Sequence, residues 1–169
     1  MPSEFSKGEL LKAPVRHIDI KQLNIVPLID QMGDTAFQAR NLSRAANIVD
    51  LMQQDKECAV IVTLAGSLIS AGLKQVIIDM IDNNMVDVIV STGANIVDQD
   101  FFEALGFHHY KGTQFIDDTI LRELHIDRIY DTFIDEDDLR VCDDTTEIIA
   151  NSMQPGAYSS REFIVEMAK

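Results

Sequence analysis

Apolar positions along the chain change their spacing near residue 35. Residues 1–34 show no sustained period and hold Pro2, Pro14 and Pro27, so the segment reads as an arm with short ordered pieces. From Thr35 onward Ala39, Leu42, Ala45, Val49 and Met52 share one face of a predicted helix, with Arg40 and Arg44 on a solvated face. Residues 58–65 then form a continuous apolar run rich in β-branched side chains, the pattern of a strand buried on both faces of a parallel sheet. Gly66 and Ser67 break that run, and Ser67 offers a capping hydroxyl to a helix whose apolar face is Ile69, Leu73, Val76, Ile77, Met80 and Ile81. Asn83 and Asn84 stop it, and 86–91 reads as a second strand. A strand–helix–strand unit of roughly 30 residues has the length of a right-handed βαβ crossover, so the chain reads as α/β.

The remainder is shorter in its signals. Residues 99–105 read as a helix ended by Gly106, 107–110 as a short strand, 117–124 as a helix and 126–133 as an extended segment. Asp144 with Glu147 makes a capping pattern for a helix over 147–153, and Ser159 with Glu162 repeats it for the last one. That last helix meets Lys169 with neither Gly nor Pro to close it. Two apolar strands need neighbours and helices on both faces, so the sheet is expected to be incomplete at the C-terminus, as in a fragment or one half of a split protein.

Composition narrows the classes. A chain of 169 residues, 46% hydrophobic, suits one globular domain. Its apolar runs are strand-length, far short of the roughly 20 residues that span a bilayer. The first residues carry Glu4, Lys7, Glu9, Lys12 and Arg16 without an apolar signal core, which points to a cytoplasmic, non-membrane protein. A net charge of −14 repels a nucleic-acid backbone and attracts a cationic molecule such as a polyamine. Cys58 and Cys142 belong to no CxxC pair and read as buried reduced thiols. No metal site is expected: His108 and His109 are adjacent and point to opposite faces of a strand. The acidic residues Asp135, Glu136, Asp137 and Asp138 read as a solvated loop, because Arg140 and Thr146 stand where a calcium loop needs its glycine and terminal glutamate.

Two turns carry candidate chemistry. Gly66 to Gly72 follows the first strand at its carboxyl end, where an open α/β sheet places its ligand. Gly66 permits close backbone approach, and free N–H groups at the helix start favour a phosphate, although the spacing is not GxGxxG. Gly72 reads as a close-packing residue. Ser91-Thr92-Gly93-Ala94-Asn95 ends the next strand in the same way, with a hydroxyl at Thr92 and room at Gly93 and Ala94 for a ring or ribose. Asp98 has two open readings, a ligand contact or the N-cap of the helix from Gln99.

Taken together these segments resemble the deoxyhypusine synthase family. Residues 34–46, with Phe37-Gln38-Ala39 at their centre, resemble the family's Gly-Phe-Gln-Ala helix, Ala36 standing for the glycine. Ser67-Leu-Ile-Ser70-Ala-Gly72 looks like its first cofactor loop, and 84–95, ending Ser91-Thr92-Gly93-Ala94-Asn95, is the most specific match. Residues 126–131 also resemble the family. The likeness runs from about residue 15 to 169, the amino-terminal half of a family member. It implies a Rossmann-like parallel sheet with flanking helices, here a partial NAD-binding domain over 35–169 after the arm. It implies a homotetrameric transferase that uses NAD to move the 4-aminobutyl group of spermidine, through a lysine imine, onto a lysine of the hypusine-bearing translation factor. Relatives use putrescine and make homospermidine. By position, Gly66, Ser67 and Ser70 match the first NAD loop, Thr92, Gly93 and Ala94 the second, and Asp98 lies near an acidic residue that touches NAD and spermidine.

The pattern also departs from the family. Gly66-Ser67 replaces Ser-Asn, and Val97-Asp98 replaces an acidic pair, as in bacterial deoxyhypusine synthase-like proteins. Neither Lys111 nor Lys169 matches the family's catalytic lysine, so no catalytic residue is expected in this chain. Besides transferase activity on a protein lysine, homospermidine synthesis and a non-catalytic half-subunit that completes a partner enzyme remain open.

Overall fold

The computed structural model describes residues 5–22 and 24–169; residues 1–4 and Leu23, parts of the segment read as an arm, lie outside the described residues. The chain gathers into two compact units. One takes the stretch up to Arg16, Ala65–Gly72 and Ser91–Lys169, and the other takes His17–Leu64 and Leu73–Val90. No helix among the described residues is long and apolar enough to cross a membrane.

The second unit holds most of the βαβ pattern. Helix α2, Val26–Met32, lies within the segment read as an arm and carries Pro27 in its first turn, where a missing N–H leaves no bond unmade. Helix α3 runs Phe37–Gln54, as its period predicts, and its Ser43 is buried. Strands β1, Ile61–Leu64, and β2, Val88–Ser91, pair in a two-stranded parallel sheet. Asp87 anchors the start of the pair: its N–H donates to the Val60 carbonyl at 2.9 Å, and its carboxylate accepts the Val60 N–H at 2.8 Å. Helix α4, Lys74–Asp82, connects the strands. It is fixed through buried Asp79, which accepts from Lys21 Nζ at 2.7 Å and Gln75 Nε2 at 3.0 Å.

Two expectations change here. The helix does not start at Ser67: Ile69–Leu73 is π-helical, Gly72 sits at φ 90°, and α4 begins only at Lys74. A Cβ on Gly72 would stand 2.9 Å from the Arg16 carbonyl oxygen, so the close approach requires glycine and breaks the helix there. Nor are the strands buried on both faces. Ile61 is 58% and Val90 54% exposed, because the described sheet has only two strands. The α/β class stands, with a smaller sheet than the pattern requires.

The first unit is built on an antiparallel sheet ordered β3-β5-β4: Tyr110–Lys111, Thr132–Asp135 and Ile126–Ile129. The extended segment expected at 126–133 is therefore a hairpin. Ile129 pairs with Thr132 around Tyr130-Asp131, and Tyr130 takes φ 56° to close the turn. Central β5 divides two apolar clusters, as alternating side chains must. Phe133 packs with Leu121 of α7, Asp118–Glu123, and with Ile126. Ile134, one residue on, packs with Phe101, Phe102, Cys142 and Met167.

The acidic run is not a solvated loop. Helix α8 runs Glu136–Ser152, so the run forms its cap and first turn and Asp144 lies well inside it, not at an N-cap. Carboxylates at a helix start meet unpaired N–H groups and the positive end of the dipole. Asp135 accepts from the amides of Asp137 and Asp138, and Lys7 of α1, Lys7–Leu10, pairs with Asp135 at 2.8 Å and Asp137 at 3.0 Å. Helix α9, Ser160–Met167, has the Ser159–Glu162 capping box that its spacing predicts. His109 is buried with Nδ1 2.8 Å from Glu103 Oε1 and His108 is exposed, but neither lies on a strand: β3 begins at Tyr110 rather than at the expected residue 107.

Three outcomes are expected. Phe133→Ala removes the ring at the centre of one cluster and lowers unfolding free energy in urea by about 3–5 kcal/mol. Burial pushes the Cys142 thiol up to about 11, so an aromatic disulfide reagent labels half-buried Cys58 in the native protein and Cys142 only after unfolding. Lys21 holds the Asp79 carboxyl below its ordinary 3.8, chiefly by the side-chain hydrogen bond. That contribution is present above 3.8 and is lost as pH falls through the lowered value, so the Tm gap between wild type and Lys21→Met narrows in acid.

Candidate functional site

The expected ligand-contacting residues all fall in the first unit, on Ala65–Gly72 and on the helical segment after β2. Gly66 has φ 70°, a conformation that favours glycine, and nothing lies within 4 Å of where its Cβ would be. The turn therefore leaves an open approach to the backbone. Thr92 is the N-cap residue of α5, Gly93–Asn95, which continues as a π-helical stretch, Ile96–Phe101, and ends as α6, Phe102–Ala104. The helix starts earlier than its apolar pattern suggests, and Gly106 ends it at φ 96° as expected.

Two side chains join the turns. Asn95 Oδ1 accepts the Leu68 N–H at 3.1 Å, while its Nδ2 reaches Thr92 Oγ1 at 3.3 Å. One helical turn on, Gln99 Oε1 accepts the Ser70 N–H at 2.9 Å in a buried position. Asn95 and Gln99 are each only 2% exposed. A buried amide pairs with its partner or costs about 1–3 kcal/mol, so these bonds fix the first turn to the segment after the second. Sequence reading passed over both residues. Their i, i+4 spacing, which puts two amide side chains on one helical face, was the available signal.

The same bonds alter the expected phosphate chemistry. The Leu68 and Ser70 N–H groups are engaged by Asn95 and Gln99, and the Ala71 N–H donates to the Ser67 carbonyl at 3.1 Å. These amides are not free donors for an anion. The hydroxyl the first turn presents is that of half-buried Ser67; Ser70 is 2% exposed, and its Oγ donates to the Ser67 carbonyl at 3.0 Å.

Ser67 and Ser70 line a cleft of about 620 Å³ with Val15, Lys111, Tyr130 and Asp131 among its other walls. That volume lies in the range of small-molecule sites. Thr92, Gly93 and Ala94 do not line it. Thr92 and Gly93 are exposed beside it in the fold, joined to the first turn through Asn95. Asp98 also lies off the cleft. It sits inside the π-helical stretch, which excludes the N-cap reading, and its carboxyl is pushed up by burial and then by the charge of Asp143. Among the described residues no cluster of His, Cys, Asp and Glu is arranged to hold a metal ion.

A sequence model of the family described as deoxyhypusine synthase matches residues 27–169. A deoxyhypusine synthase-like protein of Chlorobaculum tepidum is 78% identical over 98% of this chain and 47% of its own length. A namesake from Coxiella burnetii is 52% identical over 99% of this chain and 47% of its own. A probable deoxyhypusine synthase from Methanosarcina acetivorans is 36% identical over 92% and 45%. The chain thus spans about half the length of the curated relatives it matches. The match over residues 27–169, with relatives this similar along nearly the whole chain, places it in the deoxyhypusine synthase family.

Proposed function

We propose that this chain forms the NAD-binding portion of a deoxyhypusine synthase-like enzyme that transfers the 4-aminobutyl group of spermidine to an acceptor amine. The observation that carries the reading is the junction of two small-residue turns through Asn95 and Gln99, beside a cleft walled by Ser67 and Ser70. The residues present fit part of a dinucleotide. Ser67, backed by Ser70, supplies a hydroxyl, Gly66 an unobstructed backbone, and Thr92, Gly93 and Ala94 an exposed hydroxyl and space for a ribose or ring. Asp98 is assigned to the same function at the cofactor or amine end. When bound, NAD supplies the hydride acceptor for oxidation of the amine. The chain's own part is to hold and orient it, and no lysine here is assigned as the nucleophile.

The family reading carries finer proposals with it. The two-stranded parallel sheet is the start of a wider Rossmann-like sheet, and the enzyme works as a cytoplasmic homotetramer. The acceptor is the lysine of the hypusine-bearing translation factor. Putrescine is the second reading, because Gly66-Ser67 departs from the family's Ser-Asn.

Full-length protein mixed with NAD and spermidine is expected to release 1,3-diaminopropane, and absence of that product together with an unlabelled acceptor sinks the proposal. Parallel assays with putrescine and with the lysine-bearing protein decide the acceptor. Gln99→Leu strands the buried Ser70 N–H. It should destabilise the fold by about 1–3 kcal/mol and weaken NAD binding by calorimetry at a temperature where the variant remains folded.

A further inference from the structure

The cleft contains a cation that neither the family motif nor the catalytic lysine accounts for. Lys111 is the second residue of β3 and pairs with Thr132 of β5. Strand alternation sends Tyr110 and Phe133 into the apolar cluster and leaves Lys111 and Thr132 on the other face, where both line the cleft. Among the described residues Lys111 makes no ion pair. Lys7, Lys21 and Lys169 are each held by a carboxylate.

We infer that Lys111 is the anion-binding residue of this cleft and takes a phosphate group of the ligand that Ser67 and Ser70 flank. The inference rests on the dinucleotide reading and deepens it. Three facts converge. The Leu68, Ser70 and Ala71 amides, the usual donors to a phosphate at such a turn, are already bonded within the protein. A phosphate entering between Ser67 and Lys111 therefore meets one hydroxyl and one ammonium, and the ammonium supplies its compensating charge. Tyr130-Asp131 lies on the same side: the Gly112 N–H, next to Lys111, donates to the Asp131 carbonyl at 2.7 Å, and Tyr130, at φ 56° in a hairpin position that favours glycine, is 66% exposed. Asp131 is the carboxylate of this lining and Lys111 its cation, and the two form no ion pair among the described residues, so an anionic group is drawn to the Lys111 ammonium and away from Asp131.

Binding of NAD, ADP-ribose and adenosine to the full 169-residue chain tests this. Lys111→Ala is expected to weaken NAD and ADP-ribose roughly tenfold, the scale of one charge-assisted hydrogen bond, and to leave adenosine unchanged. Lys111→Arg should restore most of the loss, and added salt should weaken wild type more than Lys111→Ala. Unchanged melting temperature in Lys111→Ala excludes a merely structural effect. If wild type binds NAD and Lys111→Ala binds it equally well, the inference is overturned and the NAD reading stands. If wild type binds neither NAD nor ADP-ribose, both are overturned. If spermidine binds, Asp131→Asn abolishes that binding and Lys111→Ala strengthens it, the cleft is an amine site and the assignment to phosphate is wrong.

Discussion

The Ser70 N–H sits in a buried position, and only Gln99 Oε1 answers it. An amide removed from water without a partner costs about as much as a good part of a small protein's net stability, so this bond is a constraint on everything near it. To place Gln99 there, the segment after β2 must run as a helix from Gly93 and pass through a π-helical stretch at Ile96–Phe101. Asn95, one turn earlier, then falls against Leu68 and Thr92. The turns at Gly66 and Thr92 are thus held at a fixed distance by two buried amide side chains. Their cost is that the local amides are consumed, and the cleft must obtain its polar contacts from hydroxyls and from other strands.

The first unit shows how such a site is supported. Central β5 faces two apolar clusters at once, with Phe133 on one side and Ile134 on the other. Its far end leads into α8 through Asp135, whose carboxylate caps the helix and binds Lys7. The cleft borders this sheet at its exposed hairpin end, where Tyr130 is 66% exposed, while the buried Phe133 and Ile134 hold the strand from the next turns of the pleat. In the second unit the order is reversed: β1 and β2 have regular pairing but open faces, and α3 exposes Leu42, Ile48 and Val49. Its fixed points are polar, as in the Lys21–Asp79–Gln75 group.

Much of this was legible in the sequence, for physical reasons. The period of α3, the β-branched run of β1, the Ser159–Glu162 box and Gly106 are local signals, and each governs a local outcome. The family could be read from Ser67 to Gly72 and from Ser91 to Asn95 because those turns are contiguous. Features decided by distant partners were not legible. Close packing at Gly72 was legible, but nothing next to it announces the Arg16 carbonyl as the partner, and Lys7, which pairs with Asp135 and Asp137 at the start of α8, lies more than a hundred positions from them. The hairpin at Tyr130 was hidden for a different reason. Its turn uses a positive φ without Gly or Asn at that position, so the usual punctuation is missing.

Gly112 lies where the cleft and the core share a backbone. A Cβ there would come within 2.5 to 2.7 Å of the Phe133 ring, so the position has no room for any other side chain while Phe133 stays in place. Its neighbours Lys111 and Tyr130 carry no such restriction, since their side chains point into open space. The floor of the cleft is thereby tied to the packing beneath it: a side chain can be added at Gly112 only if the Phe133 ring is moved.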